Sequence, residues 1–583
     1  MMETMISYYT NSPEKCILLT NYILKNKTDN YTLNEAVALT IGSTIITKID
    51  KKKASEIASI AVKTIEDSLQ IIGNQFYAFN INQKKQYLQE ITNYYLPVIL
   101  LYGIILDYDE SFSSKFDDLP TYFHELVFKN RSLFDATNPN EAITLAKILK
   151  LDYWYYHTRR NYEFLLNDLY PELQKLHSCD YPDIDHEIYN TMQFLKNDIV
   201  EFGFTDKGKG YLADRANFLL QYMEYSLYNS GNIRASSYDN ISWVDIQSSL
   251  QPDECAVLMY DYSISSTRML SGIVITPSSS NPQDVSMLFD NTSPEAFIDL
   301  LERSYPNCNR FYICPIDSWE NVDVAYNNEK IYIKHSLADL TRNTKSLHYT
   351  GGIITVFADI NYGRHLDEDS VPPLNDGKLI LSKIKELYGS KFYCLSGDQV
   401  KKINFYNILN EVSILHVSTH GKAKSNHNDV VPNNTIDLYN SIVGLNEMAG
   451  YGLALSNYNE NNLNYISAKD IIQHLELPGN QLIFLDACVT GKSKSLLYGP
   501  NSLAKAFYTA GAANVISYLT DVKEKVATDF CIMFYEELHA SPDSSYHDIF
   551  YRTKQRIINK YRDTIYLAND KYGRPDIGIV LWE

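Results

Sequence analysis

Apolar positions in roughly the first 230 residues recur every three or four places. Ile57, Ile60, Ala61, Ile65, Ser68, Leu69 and Ile72 fall on one helical face. The same spacing returns over Leu33–Thr47, Gln83–Leu106, Asn140–Leu176, Asp183–Phe202 and Tyr211–Tyr228. Strand-like alternation is scarce there. Stacked helical hairpins of a solenoid type suit this pattern, although no 34-residue repeat aligns along it. The pattern changes near Asn240. Short runs rich in β-formers follow at Glu254–Asp261, Leu270–Thr276, Arg310–Pro315, Lys330–Lys334 and Ile353–Ala358. Helical stretches such as Pro294–Ser304 and Gly377–Tyr388 separate them. Alternating strands and helices predict an α/β layered fold with a largely parallel sheet. Ser425–Thr435 and Ser456–Asn464 are polar and read as exposed loops.

Two segments of the second part end an apolar run in reactive groups. In Val412–Lys422 (VSILHVSTHGK), a buried strand ends in Thr419-His420-Gly421. In Gln481–Lys492 (QLIFLDACVTGK), another ends in Asp486-Ala487-Cys488. The carboxyl ends of strands in an open parallel sheet face the crevice where such folds bind ligands. If the strands are neighbours, His420 and Cys488 face each other. A free thiol ionises near pH 8.5, so only a few per cent is thiolate at neutrality. An adjacent imidazole raises that fraction and can protonate a leaving amine. A lone buried cysteine is ordinarily an inert small hydrophobe. A lone strand-end histidine is ordinarily just hydrogen-bonded, and His416, inside its strand, is read as packing. It is the joint pattern that points to chemistry.

Composition narrows the classes. The chain has 583 residues, of which 45% are apolar and 21% charged, close to the globular average. That length leaves room for two to four domains. Its 52 basic and 71 acidic residues give a net charge of −19, which disfavours phosphate backbones and anionic lipid and favours a basic peptide. The 47 tyrosines, without interleaved basic residues, read as compositional bias. The eight cysteines form no C-x-x-C pair, which argues against a zinc ribbon or a disulfide scaffold and for mostly buried, reduced thiols. No signal-peptide pattern opens the chain. The longest apolar run, Leu96–Leu106, has 11 residues and contains Pro97, against about 20 for a membrane span. A cytoplasmic protein without a membrane segment is expected. No phosphate-binding loop, nucleophile-elbow serine or H-E-x-x-H zinc motif is present.

The runs ILHVSTHGKAK, LIFLDACVTGKSK and GPNSLAKAFYTAGAANVISYL resemble a CHAT domain, a caspase-like peptidase of the clan of caspases, gingipains, clostripain and separase. Trp243–Gln247 with Leu250 and Glu254, Asp359–Gly363, Ser467–Leu475, Ala504–Gly511, Val515–Leu519 and Pro575–Trp582 resemble other parts of such regions. The resemblance covers about residues 240–583. It implies a helical, TPR-like region over 1–239, an inactive-looking α/β lobe over 240–350 and a catalytic lobe over 351–583. It implies Cys488 as nucleophile, His420 as general acid/base, and the Gly421 and Cys488 amides as oxyanion donors. No cofactor or metal is implied. The expected substrate is a specific protein, and the helical region is expected to bind an activating or inhibitory protein partner, with no direct nucleic-acid contact; bacterial members are associated with defence. Many CHAT domains read S-A-C-E-T-G where this chain reads D-A-C-V-T-G. Asp486 resembles the acidic residue that lines the specificity pocket of metacaspases and clostripain, which implies cleavage after Arg or Lys. Asp521 is the second candidate for that role, and a purely structural Asp486 bonded to loop backbone is the alternative. Two other classes stay open: a non-catalytic caspase-like scaffold, and a hydrolase or acyltransferase acting on a non-peptide substrate.

Overall fold

Asp50 caps one of the N-terminal helices, its carboxylate accepting from Lys53 N at 3.0 Å. In the computed structural model that helix, α2 (Lys51–Gly73), lies between α1 (Leu33–Ile46) and α3 (Ile81–Leu106) in the chain. Its 3.6-residue stripe is the buried one: Ile57, Ala58, Ala61, Val62, Ile65 and Leu69 pack with Leu39, Tyr87, Leu88 and Ile91. Helix α4 (Pro139–Thr158) starts at Asn138, whose side chain accepts from Asn140 N, with Pro139 at the first helical position. A π-helical turn over Leu165–Leu169 leads into α5 (Tyr170–His177), and α6 (Pro182–Gly203) follows. The structure describes residues 20–25, 31–46, 50–106, 125–177, 182–228, 241–264, 267–288, 294–326, 328–341, 348–362, 374–408, 412–423, 451–456, 465–477, 479, 481–488, 490–492, 502–562, 568–569, 575–576 and 578–583. The expected loops over 425–435 and 457–464 lie outside them. The described residues fall into two units, which divide between Ile199 and Val200.

The second unit begins with α7 (Leu212–Tyr228) and α8 (Trp243–Ser249). Ser242 and Asp245 close a capping box at the start of α8. The strands are β1 (Glu254–Ile264), β2 (Thr267–Ile275), β3 (Gln283–Leu288), β4 (Arg310–Pro315), β5 (Ile331–Ile333), β6 (Ile353–Ile360), β7 (Phe392–Gly397) and β8 (Val412–Ser418). They continue with β9 (Gly421–Ala423), β10 (Tyr451–Ala454), β11 (Tyr465–Ser467), β12 (Leu482–Asp486), β13 (Asn514–Tyr518), β14 (Ala568–Asn569), β15 (Pro575–Asp576) and β16 (Ile579–Trp582). Eleven of them form one sheet in the order β3-β2-β1-β4-β5-β16-β13-β12-β8-β6-β7. From β13 to β7 every pairing is parallel. Every residue of β12 and β13 is buried, as central strands covered on both faces require.

Alternation along β8 and β12 sorts the two cores. Ile414, Leu482 and Phe484 face α9 (Gly377–Tyr388), α10 (Glu524–Ala540) and α11 (Tyr546–Tyr561), joining Ile384, Phe530, Phe534 and Ile557. Leu415, Val417, Ile483 and Leu485 face the other way, toward α12 (Ala468–His474) and α13 (Leu503–Thr509). Two buried ammonium–carboxylate pairs tie distant segments together. Lys505 on α13 meets Glu320 at 2.6 Å. Lys554 on α11 meets Asp323 and also donates to Ile579 O at 3.1 Å, at the start of the closing strand.

The cysteines depart from expectation at one place. Cys255 and Cys308 are joined by a disulfide. Parallel pairing of β1 with β4 sets Cys255 beside Phe311 and brings the preceding turn back to it. No short-range spacing announces this, since 53 residues separate the pair. Cys314 and Cys531 are free and buried, and Cys394 and Cys488 free and partly exposed.

Removing Lys554 tests the ion pair. Lys554→Met leaves the Asp323 carboxylate in the core facing a methyl group, an expected loss of about 3–5 kcal/mol. The thermal unfolding midpoint should fall accordingly. Adding Asp323→Leu should restore most of it.

Candidate active site

β8 and β12 are adjacent and parallel, and their register is constant. Ile414 pairs with Leu482, His416 with Phe484 and Ser418 with Asp486. Continued two residues beyond each strand, that register sets His420 level with Cys488. The 68-residue offset of each strand pair is also the offset of His420 and Cys488. Both side chains are partly exposed.

Three backbone features hold the two turns. Thr419 N donates to Asp486 O at 3.1 Å. Ala454 N donates to His420 O at 3.0 Å, beginning the small sheet β11-β10-β9. Gly421 lies flat against the Cys488 backbone: a Cβ there would stand 2.0 Å from Cys488 O and 3.4 Å from Cys488 N. Only glycine permits that approach. Gly421 and Cys488, expected to supply the oxyanion amides, are therefore side by side.

Side chains reinforce the histidine turn. Thr419 Oγ1 donates to Ala454 O at 2.6 Å, so the Tyr362 hydroxyl, 2.8 Å away, donates to Thr419. The Tyr362 ring lies 5.3 Å from the His420 ring. Burial pushes the Tyr362 phenol up to about 12, keeping it a neutral donor. Just before it, Asp359 holds a left-handed φ of 52°, a conformation non-glycine residues rarely adopt and one that clusters at functional sites. By sequence, Asp359–Gly363 stands out only for its resemblance to part of a CHAT region. Its signal was the tyrosine after a strand end on the same edge as His420.

The Cys488 thiol points toward Val522 O at 3.9 Å. Burial pushes its pKa up, the Val522 carbonyl contact offsets part of this, and the Asp521 and Asp486 carboxylates push it further up. The two acidic candidates differ. Asp486 is 6% exposed, at the end of β12, with Oδ2 3.8 Å from His416 Nε2. Its backbone carbonyl, not its side chain, holds the Thr419 amide. Asp521 is exposed, beside the thiol on the loop before α10. His416 packs as expected, buried and stacked on Phe484 at 4.5 Å between ring centres.

A glycine also fixes the far side of the cysteine loop. Gly491 N donates to Tyr518 O at 2.9 Å, and a Cβ there would come within 2.4 Å of Ser517 Oγ. Thr490 Oγ1 donates to Ala487 O at 2.9 Å and accepts from Tyr518 N at 3.3 Å. The T-G after the cysteine therefore bolts the loop to β13.

A mostly parallel sheet with a histidine and a cysteine at matched ends of neighbouring strands, preceded by a helical region, defines a caspase-like α/β protein. Residues 326–560 match the model of the CHAT domain family. Distant likenesses among solved structures include the Arg-specific cysteine proteinase gingipain R, at 13% identity and a TM-score of 0.32, covering 50% of this chain and 66% of that one. A complex of Porphyromonas gingivalis RgpB pro- and mature domains matches at 13% identity and 0.32, covering 50% and 67%. The Saccharomyces cerevisiae separase–securin complex matches at 11% identity and 0.42, covering 97% of this chain and 51% of that one. This chain thus spans about two thirds of the gingipain chain and half of the separase chain. No curated protein matches the sequence. Among the described residues, no helix is long and apolar enough to cross a membrane.

Two measurements probe this geometry. Gly421→Ala forces β8 and β12 apart at their ends, at an expected cost of about 1–3 kcal/mol or more. Gly210→Ala, with nothing within 4 Å of the added carbon, should leave the thermal midpoint unchanged. The pH dependence of Cys488 alkylation by iodoacetamide reads the thiol directly. With its pKa raised, the rate should climb with pH to a midpoint above the ordinary value of about 8.5. Asp521→Asn removes a carboxylate that disfavours the thiolate, so the midpoint should move down.

Proposed function

We propose that the protein is a cysteine endopeptidase with Cys488 as nucleophile and His420 as acid/base. The observation that carries this is the matched placement of the two residues beyond paired parallel strands. The Cys488 sulfur attacks the scissile carbonyl carbon as His420 takes the thiol proton. The carbonyl oxygen becomes an oxyanion facing the Gly421 and Cys488 amides. His420 then gives its proton to the leaving amine, releasing the C-terminal product and leaving a thioester on Cys488. Water, deprotonated by His420, hydrolyses the thioester and restores the thiol.

The substrate is a protein cut after Arg or Lys. Asp486 supports this best, a carboxylate nine-tenths buried two residues before the nucleophile. Asp521 is exposed, so solvent weakens its pull on a cation. The raised Cys488 pKa fits a low resting activity, and the helical region then takes a protein partner that releases or restrains it.

Mapping new protein N-termini in cells tests the assignment. Wild-type chain should yield sites after basic residues that Cys488→Ala and His420→Ala abolish. An unchanged set in either variant overturns it. With basic reporter peptides, Asp486→Asn should lower kcat/KM at least about 30-fold, the effect of losing roughly 2 kcal/mol of buried charge pairing. Asp521→Asn should change it far less.

A further inference from the structure

Behind the nucleophile, on the sheet face covered by α10, three side chains converge, of which the proposed reaction uses only Asp486. His416 Nε2 lies 3.8 Å from Asp486 Oδ2 and 3.7 Å from Cys531 Sγ. One ligand atom from each residue falls within 4.8 Å of the other two. His416 and Cys531 are 0% exposed and Asp486 6%. β8, β12 and α10 each contribute one residue, so the arrangement rests on regular elements rather than loops.

The spacing is that of a metal's coordination sphere. Tetrahedral zinc, with bonds of about 2.0–2.2 Å to nitrogen and oxygen and about 2.3 Å to sulfur, sets its ligand atoms roughly 3.3–3.6 Å apart. The two His416 separations, 3.8 and 3.7 Å, need only a small contraction. The charges also suit a buried ion. A neutral imidazole, a carboxylate and a thiolate around a divalent cation sum to zero, so no net charge is left in the core. Imidazole with thiolate selects zinc over magnesium or calcium.

A second observation marks the same place. The hydroxyls of Tyr518 and Tyr535, both 0% exposed, have no hydrogen-bond partner among the described residues. Both phenols lie within electrostatic reach of Asp486. Buried hydroxyls are nearly always satisfied, and two left open within electrostatic reach of the same carboxylate agree with an absent ligand. Water in the fourth zinc position is a group they could bond.

We propose that His416, Asp486 and Cys531 form a zinc site. As the sulfur–zinc bond forms, the Cys531 proton leaves to solvent. Given the proposed role of Asp486, zinc and a basic substrate side chain are mutually exclusive on that carboxylate. Zinc is then an inhibitor that acts from behind the nucleophile.

The test reads metal, not proteolysis, so its failure and that of the peptidase assignment are distinguishable. It uses the full chain carrying Cys488→Ala, which removes the competing thiol of the active site. Titration with cobalt(II) as the probe should give one equivalent bound, tetrahedral visible bands and a thiolate-to-cobalt charge-transfer band. Since the loss of even an outer-shell partner costs about 10–100-fold in affinity, Cys531→Ser and Asp486→Asn should each weaken binding by at least about 100-fold. Cys531→Ser should also erase the charge-transfer band. His420→Ala should leave both unchanged. Thermal midpoints without metal establish that each variant folds. If Cys531→Ser does not fold, the near-isosteric Asp486→Asn carries the affinity test. Absence of the charge-transfer band in the parent chain, or binding that survives either ligand change, overturns the proposal.

Discussion

The pairing of β8 with β12, sealed where Gly421 meets the Cys488 carbonyl, is the constraint on which the rest depends. A parallel ladder has one register, and a slip by one residue would turn every side chain to the opposite face. Here the even-numbered positions of both strands share one face. Ile414, His416, Leu482, Phe484 and Asp486 are on it, and the same parity continues to His420 and Cys488. Register therefore fixes together His420 and Cys488, the acidic candidate and the buried histidine behind them.

Around that ladder, stabilising contacts concentrate on segments that would otherwise move independently. The cysteine turn is tied to β13 through Thr490 and Gly491, and α13 beyond it to Glu320 through Lys505. The histidine turn is tied to β10 through Ala454 and to the end of β6 through Tyr362. Each tie is a satisfied polar contact in a buried setting, where leaving a group unpaired costs more than the bond itself contributes. Burial of Cys488 and its two carboxylate neighbours instead favour the protonated thiol. The frame is thus set firmly while the reactive atom is held in its less reactive form.

Much of this was legible in the chain. Continuous apolar runs such as LIFLD and VSILHV announce strands covered on both faces, and the polar residues after them announce the edge where chemistry sits. The helical face of Ile57, Ala61, Ile65 and Leu69 was equally plain from its spacing. What pattern could not give were contacts made by three-dimensional approach. The Cys255–Cys308 bond spans a long loop, and Tyr362 joins the site only because β6 pairs with β8. Cys531 reads as an ordinary core thiol on α10 until the helix is laid over His416 and Asp486. The place of His416 inside an apolar strand announces its packing, and its ring is stacked on Phe484. That place says nothing of the nitrogen turned toward Asp486.

The closing strand carries a consequence of another kind. β16 is not at an edge of the sheet but inside it, between β5 and β13. Trp582 pairs with Val515 on one side and Ile333 on the other. The sheet therefore cannot close until residues 579–582 have been synthesised and have left the ribosome. Until then the edge of β13 stays open and Ile579 O, which Lys554 bonds, is missing. A nascent chain already carries the histidine and the cysteine, yet lacks the strand that unites the two parts of the sheet. The order of synthesis itself keeps an unfinished chain from completing its sheet.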